Sequence, residues 1–273
     1  MHDGRRPPLP HERHALGLFR FLAPRLPRVD PIEPPAALAP WEEVEVPRPG
    51  RDGALAATWY PAPGPARGAA LLLPPWVPWG RAYFHRRPRI RALRQAALHT
   101  LTLDFPGFGG SGPPAGFFDL DVDDALTALA NRAPGLPLFV WGVSAGGYWA
   151  HPVLARRNGV RAAFFEDVSP HLLEWSAHVR PVFRPFFFLF RTLFPAAYRF
   201  LDMRRHAEAF RVERSVHVSG ELDPGVRPED TRELARRAGG AALVVPGAGH
   251  LEAIKTATDE VIGRALAEFE AAR

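Results

Sequence analysis

One short segment constrains the fold of this chain more than any other, because it joins a buried strand to a helix through a glycine-flanked serine. The apolar run at residues 138–142 predicts the strand, and residues 148–157 predict a helix that Pro152 should kink or shorten. Ser144 lies between them, with Gly142 two residues before it and Gly146 two residues after it. A serine on so sharp a turn needs a strained backbone and small neighbours. The segment therefore predicts a nucleophile at the end of a sheet strand.

Short apolar strands alternate with helical patterns along most of the chain. Strands are predicted at residues 44–47, 55–60, 69–73, 101–105, 138–142, 162–168, 215–219 and 241–245. Helices are predicted at residues 89–98, 119–132, 148–157, 228–238 and 251–271. Such an alternation is typical of an α/β fold, in which a mostly parallel sheet is covered by helices on both faces. We expect residues 41–170 and 213–273 to form this core.

Two segments fall outside the alternation. Residues 1–40 are basic and rich in proline, and we expect the apolar cluster at residues 15–26 to form a short helix that docks on the core. Residues 171–212 interrupt the sheet pattern after the strand at 162–168, and they are rich in phenylalanine. We expect them to form a helical lid over an apolar pocket, lined in part by Phe183, Phe187 and Phe190. An extra helical layer that only packs on the core is the alternative.

Two later loops offer the partners that a serine nucleophile needs. His250 follows the last strand in a glycine-rich loop, and it is the candidate base that accepts the proton of the serine. Asp223 follows the preceding strand and is the candidate acid that orients the histidine, with Asp167 and Glu221 as alternatives. The order Ser144, Asp223, His250 is the one expected for this kind of sheet.

A serine nucleophile also needs N–H donors for the oxyanion of the tetrahedral intermediate. The N–H of Ala145, directly after the serine, is the first candidate. The second is expected in the turn after the strand at 69–73, where three of the residues are prolines and have no N–H to donate. Trp76 is therefore the preferred donor, ahead of Val77. Trp76, Val77 and Trp79 are also expected to line the substrate pocket.

Composition narrows the chemistry further. The 273 residues include no cysteine, which excludes a thiolate nucleophile and cysteine-ligated metal sites, and no metal or organic cofactor is implied. A net charge of +5 raises the question of nucleic-acid binding. The arginines, however, are dispersed in separate pairs and form no nucleic-acid motif, so we expect no nucleic-acid partner.

The same composition bears on localisation. No stretch reaches the ~20 apolar residues that span a bilayer, and we expect a cytoplasmic protein. The lid and the N-terminal segment both mix apolar residues with arginine, which is typical of segments that contact a membrane surface. We therefore keep a peripheral membrane contact as a hypothesis, and the oligomeric state stays open.

These features resemble the α/β-hydrolase superfamily over residues 42–271, apart from the lid. Residues 104–112 also resemble the D-x-P-G-x-G-x-S segment of that superfamily, which implies that Asp104 and Ser111 belong to the scaffold. The chain departs from the pattern at Pro74 and Pro75, where His-Gly is usual. A serine at the turn argues against the dehalogenases and epoxide hydrolases of this fold, which use aspartate there.

The resemblance implies a serine hydrolase of the esterase or lipase-like branch. Such an enzyme would cleave an ester or thioester with an apolar acyl part through an acyl-enzyme, without a cofactor. Two alternatives stay open at this point. One is an acyltransferase that uses the same three residues, and the other is a non-catalytic protein that binds a small ligand on the same fold.

Overall fold

The computed structural model describes residues 29–114 and 117–272, and these residues include one eight-stranded sheet. Its strands are β1 (Glu42–Val46), β2 (Leu55–Tyr60), β3 (Gly68–Leu73), β4 (Leu98–Leu103), β5 (Leu138–Val143), β6 (Val160–Glu166), β7 (Arg214–Gly220) and β8 (Ala241–Val245). The spatial order is β1-β2-β4-β3-β5-β6-β7-β8. β2 is antiparallel to both of its neighbours, and the remaining neighbouring strands are parallel. The predicted mostly parallel sheet is confirmed.

Helices cover both faces of the sheet, as predicted. They are α1 (Arg89–Gln95), α2 (Asp119–Arg132), α3 (Ala145–Leu154), α4 (Leu172–Val179), α5 (Arg184–Leu193), α6 (Pro195–Phe200), α7 (Met203–Ala207), α8 (Pro228–Arg237), α9 (Ala253–Thr256) and α10 (Thr258–Ala271). Short 3₁₀ turns occur at Ala36–Leu38, Gly80–Phe84 and Pro181–Phe183. α2, α3 and α8 pack on one face, and α1, α9 and α10 pack on the other.

The central strands are buried on both sides, which explains why they are apolar without strict alternation. In β3, Ala69, Leu71 and Leu73 belong to one core cluster, while Ala70 and Leu72 belong to the cluster on the opposite face. All five side chains are fully buried. A parallel strand covered by helices on both faces has this pattern, because successive side chains point in opposite directions.

Two predicted helices differ in length from the observed ones, and in both cases the backbone conformation or a missing N–H group is the cause. The helix expected at 148–157 ends at Leu154, two residues after Pro152, which has no N–H for the helical ladder. The helix expected at 251–271 is broken at Ala257, whose backbone is not helical. The N-terminal helix expected at residues 15–26 lies outside the described residues. None of the helices in the described residues combines the length and the apolar character needed to cross a membrane.

The segment between β6 and β7 leaves and rejoins the core at neighbouring points. The N–H of Met203 donates to the carbonyl of Pro170 at 2.8 Å, and His171 and Asp202 form an isolated antiparallel bridge. Helices α4, α5 and α6 lie between these two ends, and we call residues 171–202 the helical insertion. Beyond it, α7 packs into the core, since Met203 and Ala207 are fully buried.

Candidate active site

The turn between β5 and α3 places Ser144 in a strained backbone conformation. Its φ is +48° and its ψ is −113°, a region that residues with a side chain rarely adopt. The N–H of Ser144 donates to the carbonyl of Glu166 at 2.7 Å, which ties the turn to the end of β6. A methyl group on Gly142 would lie 2.4 Å from the Cα atom of Gly147. The glycines are therefore required by the close approach of strand and helix.

Three predicted site residues meet at this turn. The Oγ atom of Ser144 lies 3.3 Å from the Nε2 atom of His250. The Nδ1 atom of His250 lies 2.6 Å from the Oδ2 atom of Asp223. The other oxygen of Asp223 accepts the N–H groups of Gly225 and Val226 at 2.7 and 3.0 Å. A nucleophile, a base and an orienting acid thus form one hydrogen-bonded line, and their catalytic role stays a prediction.

The two alternative acids make other contacts. Glu221 is exposed, and its carboxylate accepts the N–H of Gly247 at 3.0 Å. Asp167 is buried, and its two oxygens accept the N–H groups of Gly220 and Leu251. Among the three carboxylates, the one that hydrogen-bonds the imidazole is that of Asp223.

Electrostatics at His250 favour a histidine that can take up a proton. Burial lowers its pKa, but the hydrogen bond and the negative charge of Asp223, together with the charge of Asp167, outweigh burial and raise the pKa above the usual histidine value. The three side chains offer metal-ligating atoms within 4.8 Å of one another. These atoms already hydrogen-bond one another and backbone N–H groups, which leaves them less available to a metal ion.

The candidate oxyanion donors lie on two adjoining segments. Ala145 is the first residue of α3, where N–H groups have no intrahelical acceptor. The N–H of Val77 donates to the carbonyl of Pro75 at 2.9 Å, whereas the N–H of Trp76 meets no acceptor among the described residues. A methyl group on Gly146 would lie 2.3 Å from the carbonyl oxygen of Leu73, so the turn after β3 adjoins the serine turn. This arrangement favours Trp76 over Val77 as the second donor.

Asp104 anchors the turn that carries Trp76. Its carboxylate accepts the N–H groups of Arg81 and Gly110 at 2.8 and 3.3 Å, and its carbonyl accepts the hydroxyl of Ser111 at 2.7 Å. Gly80 has a φ of +47°, and a methyl group there would lie 2.2 Å from this carboxylate. Asp104 and Ser111 therefore hold the loop in place, as expected of scaffold residues.

The residues predicted to line the pocket do not all lie on the same side of the sheet or at the same depth. Trp76 packs between Phe108 and Phe118, with ring centroids 5.0 and 5.2 Å away. Val77 packs against the core cluster on the opposite face, and Trp79 is 46% exposed. Phe187 and Phe190 of α5 belong to the same apolar cluster as Trp76. The side chain of Phe183 lies outside the described residues.

The helical insertion touches the loop that carries the candidate acid. A methyl group on Gly225 would lie 2.0 Å from the Nε1 atom of Trp175 in α4. The N–H of the same glycine donates to Asp223. The hydroxyl of Tyr148 in α3 donates to the carbonyl of Leu201 at 2.5 Å, which fastens the end of the insertion behind the serine turn. The insertion thus lies against the elements that carry Asp223 and Ser144.

Sequence reasoning missed a buried ion pair beneath the serine turn. Arg89 donates to both carboxylate oxygens of Glu166 at 2.8 and 2.5 Å, and the indole N–H of Trp141 donates to the same group at 2.5 Å. Arg89 and Glu166 are both buried. Since the carbonyl of Glu166 accepts the N–H of Ser144, this pair supports the strained turn. The signal in the sequence was Glu166 itself, an acid inside the apolar strand predicted at 162–168, which requires a partner when buried.

Comparisons with known proteins agree on the fold. No family model and no curated protein matches this sequence. A structure of the esterase Pf2001 from Pyrococcus furiosus matches with a TM-score of 0.74 at 18% identity, over 90% of this chain and 96% of that one. The α/β hydrolase GrgF from Penicillium sp. matches with a TM-score of 0.67 at 15% identity, over 85% of this chain and 99% of that one. A bromoperoxidase from Bacillus anthracis matches with a TM-score of 0.60 at 15% identity, over 84% and 100%.

The protein therefore has the α/β-hydrolase fold, and the resemblance found in the sequence is confirmed at that level. At these identities the likeness defines the fold alone, because one fold carries many chemistries.

Proposed function

We propose that this protein is a serine hydrolase that cleaves a carboxylic ester or a thioester with an apolar acyl part. The observation that carries the proposal is the hydrogen-bonded line from Ser144 through His250 to Asp223, at 3.3 and 2.6 Å. Nucleophile, base and acid in this geometry activate a hydroxyl that is otherwise a poor nucleophile. The esterase among the matching structures adds support at the level of the fold.

In the proposed reaction, the Oγ atom of Ser144 attacks the carbonyl carbon of the substrate while its proton passes to Nε2 of His250. Asp223 stabilises the resulting imidazolium. The negative charge on the carbonyl oxygen is held by the N–H groups of Ala145 and Trp76. The imidazolium then gives its proton to the leaving alcohol or thiol, and water releases the acid from Ser144 by the same steps.

The apolar acyl part is inferred from the surroundings of Trp76. Its ring belongs to an aromatic cluster with Phe118, and the insertion contributes Phe187 and Phe190 to the same apolar cluster. Burial of a chain of CH₂ groups against such a wall gains about 0.8 kcal/mol for each group. We therefore expect kcat/KM to rise with acyl length until the pocket is filled, with the insertion acting as a lid.

The test is a series of nitrophenyl esters and acyl thioesters of increasing chain length. Ser144→Ala should lose at least about 10³-fold in kcat. Ser176→Ala is the matched control, because among the described residues the Ser176 hydroxyl donates to the carbonyl of Leu172 in its own helix and to no group of the candidate site. Full activity of Ser144→Ala would overturn the proposal.

A fluorophosphonate probe separates the alternatives. Labelling that is lost in Ser144→Ala and kept in Ser176→Ala indicates an activated serine, whereas no labelling of the wild type favours a ligand-binding protein. Labelling together with faster product formation when an alcohol replaces water as acceptor favours an acyltransferase. Hydrolysis that added alcohol leaves unchanged favours the hydrolase.

We also propose that the insertion contacts an anionic membrane surface. Phe188, Leu189 and Leu193 of α5 are 74%, 53% and 59% exposed, although they are large and apolar. Arg184 and Arg191 lie on the same helix and are exposed, and the guanidinium of Arg191 lies 5.8 Å from the ring centroid of Tyr198. Exposed apolar residues beside cations are typical of helices that lie in a lipid interface.

Flotation with vesicles tests this contact. We expect the protein to float with vesicles that contain an anionic phospholipid, and less with purely zwitterionic ones. Phe188→Ser and Arg184→Glu should each weaken flotation, while Ile32→Ser and Arg91→Glu, exposed residues outside the insertion, should not. Equal flotation of all four variants, or none by the wild type, would contradict the membrane contact.

A further inference from the structure

A second carboxyl group lies beside the candidate triad and is not part of its hydrogen-bonded line. Asp167 directly follows β6, is only 1% exposed and has a φ of +51°. Its N–H donates to the carbonyl of Val218 in β7 at 2.8 Å, so its backbone continues the sheet. A buried acid in a strained backbone conformation is costly and persists where the surrounding structure requires it.

The carboxyl group of Asp167 connects two loops. Its Oδ1 atom accepts the N–H of Gly220, at the end of β7, at 3.2 Å. Its Oδ2 atom accepts the N–H of Leu251, the residue after His250, at 2.9 Å. Gly220 precedes Asp223 by three residues and stands directly before its loop. One side chain therefore fixes the backbone of the acid loop relative to the backbone of the histidine loop.

The charge of Asp167 also faces the imidazole. Burial raises the pKa of this carboxyl group to about 7, although the nearby His250 lowers it. The negative charges of Glu166 and Asp223 act in the same direction as burial, and Asp167 also interacts electrostatically with Tyr83. Glu166 is itself paired with Arg89. At neutral pH the group thus lies between its neutral and its charged form.

We propose that Asp167 is a positioning residue that holds His250 and Asp223 in register and adds a second negative charge beside the imidazole. The proposal rests on the proposed function, since it concerns the same histidine. When the proton of Ser144 passes to Nε2 of His250, a positive imidazolium forms. An ionised Asp167 stabilises that cation together with Asp223, while its two hydrogen bonds keep Nε2 directed at the serine.

Nuclear magnetic resonance of the wild-type protein gives the first test, because it needs no turnover. The amide protons of Gly220 and Leu251 should titrate together near neutral pH, with the midpoint of the Asp167 carboxyl, while the imidazole of His250 responds at the same pH. If the two amides show no common titration, or if the imidazole does not respond, the proposal is overturned. A protein that is inactive on every ester would overturn the proposed function and leave this result standing.

Variants give the second test. Asp167→Asn keeps the size, removes the charge and replaces one of the two accepting oxygens by an NH₂ group, so one hydrogen bond to the loops is lost as well. Because the charge is gone, the pKa of His250 should fall and the acid limb of the kcat/KM profile should move to lower pH. We expect kcat to fall by about 3- to 30-fold with KM nearly unchanged, against about 10⁴-fold for Asp223→Asn. Asp123→Asn, which loses the ion pair of a remote carboxylate with Arg157, is the control and should change neither quantity.

Two results would overturn the proposal. A loss in Asp167→Asn as large as that in Asp223→Asn would make Asp167 the catalytic acid. An unchanged pH profile, with an effect on thermal stability alone, would make Asp167 a merely structural residue.

If Asp167→Asn does not fold, Asp167→Glu keeps the charge and shifts the carboxylate by one CH₂ group. The Asp167→Glu variant should keep the acid limb of the kcat/KM profile at the pH of the wild type while kcat falls. An acid limb that moves to another pH would overturn the role of the charge.

Discussion

Replacing Gly146 with alanine tests whether the serine turn and the turn after β3 must touch. The added methyl group would lie 2.3 Å from the carbonyl oxygen and 2.5 Å from the carbonyl carbon of Leu73. These are backbone atoms of a strand that is hydrogen-bonded on both sides, by β4 and by β5. The strand cannot yield by a side-chain rotation, so the two turns must separate.

The size of the effect follows from these distances. Ordinary van der Waals contact begins at 3.4 Å, and the turns must therefore move apart by about 1 Å. The two segments carry the candidate oxyanion donors, Ala145 and Trp76. A displacement of about 1 Å at a reacting centre costs roughly 100-fold in rate. Overpacking of a core position adds a loss of about 1–3 kcal/mol in the free energy of unfolding.

The assay compares kcat/KM on a nitrophenyl ester with thermal unfolding for two alanine variants. Gly263→Ala is the matched control, since a methyl group at this exposed position in α10 meets no atom within 4 Å. We expect it to retain full activity and to gain about 0.5–1 kcal/mol of stability. If Gly146→Ala keeps kcat/KM within about 3-fold of the wild type, the two turns do not form one oxyanion site and the reasoning is refuted.

Further predictions concern the acid, the base and the insertion. Asp223→Asn should lower kcat by about 10⁴-fold in steady-state assays, whereas Glu221→Gln should stay close to the wild type because the carboxylate of Glu221 accepts the N–H of Gly247. The kcat/KM profile should fall on the acid side with a midpoint above the ordinary histidine value of about 6.5, because the pKa of His250 is raised and the base is lost as pH drops through it. Gly225→Ala should displace Trp175, because the added methyl group would lie 2.0 Å from its Nε1 atom. We expect a clear change in how kcat/KM depends on acyl length, and a smaller change in kcat for acetate esters.

The candidate nucleophile and the candidate base can be proposed from the sequence because their signals are local. A strand, a glycine-flanked Ser144 and a helix occupy one continuous stretch, and His250 stands in a glycine loop between the last strand and the last helices. The sheet topology then brings the ends of parallel strands to one edge, so residues far apart in sequence become neighbours.

The choice of acid could not be made in the same way. Asp167 and Asp223 both follow strands that end at the same edge, and the spacing along the chain is compatible with either. What distinguishes them is the direction of a carboxylate within a loop, which depends on tertiary contacts such as the N–H of Leu251. The role of Arg89 was hidden for a similar reason, since its partner Glu166 lies on a different element 77 residues away.

The closed base of the helical insertion has a consequence for engineering. The N–H of Met203 donates to the carbonyl of Pro170. The residues on either side of the insertion, 171–202, are therefore held at hydrogen-bonding distance from each other. A short turn could replace the whole stretch at little cost in loop entropy, and a foreign segment of another length could be grafted on the same two anchors. The sheet with Ser144, His250 and Asp223 would then remain while the segment that covers it is exchanged.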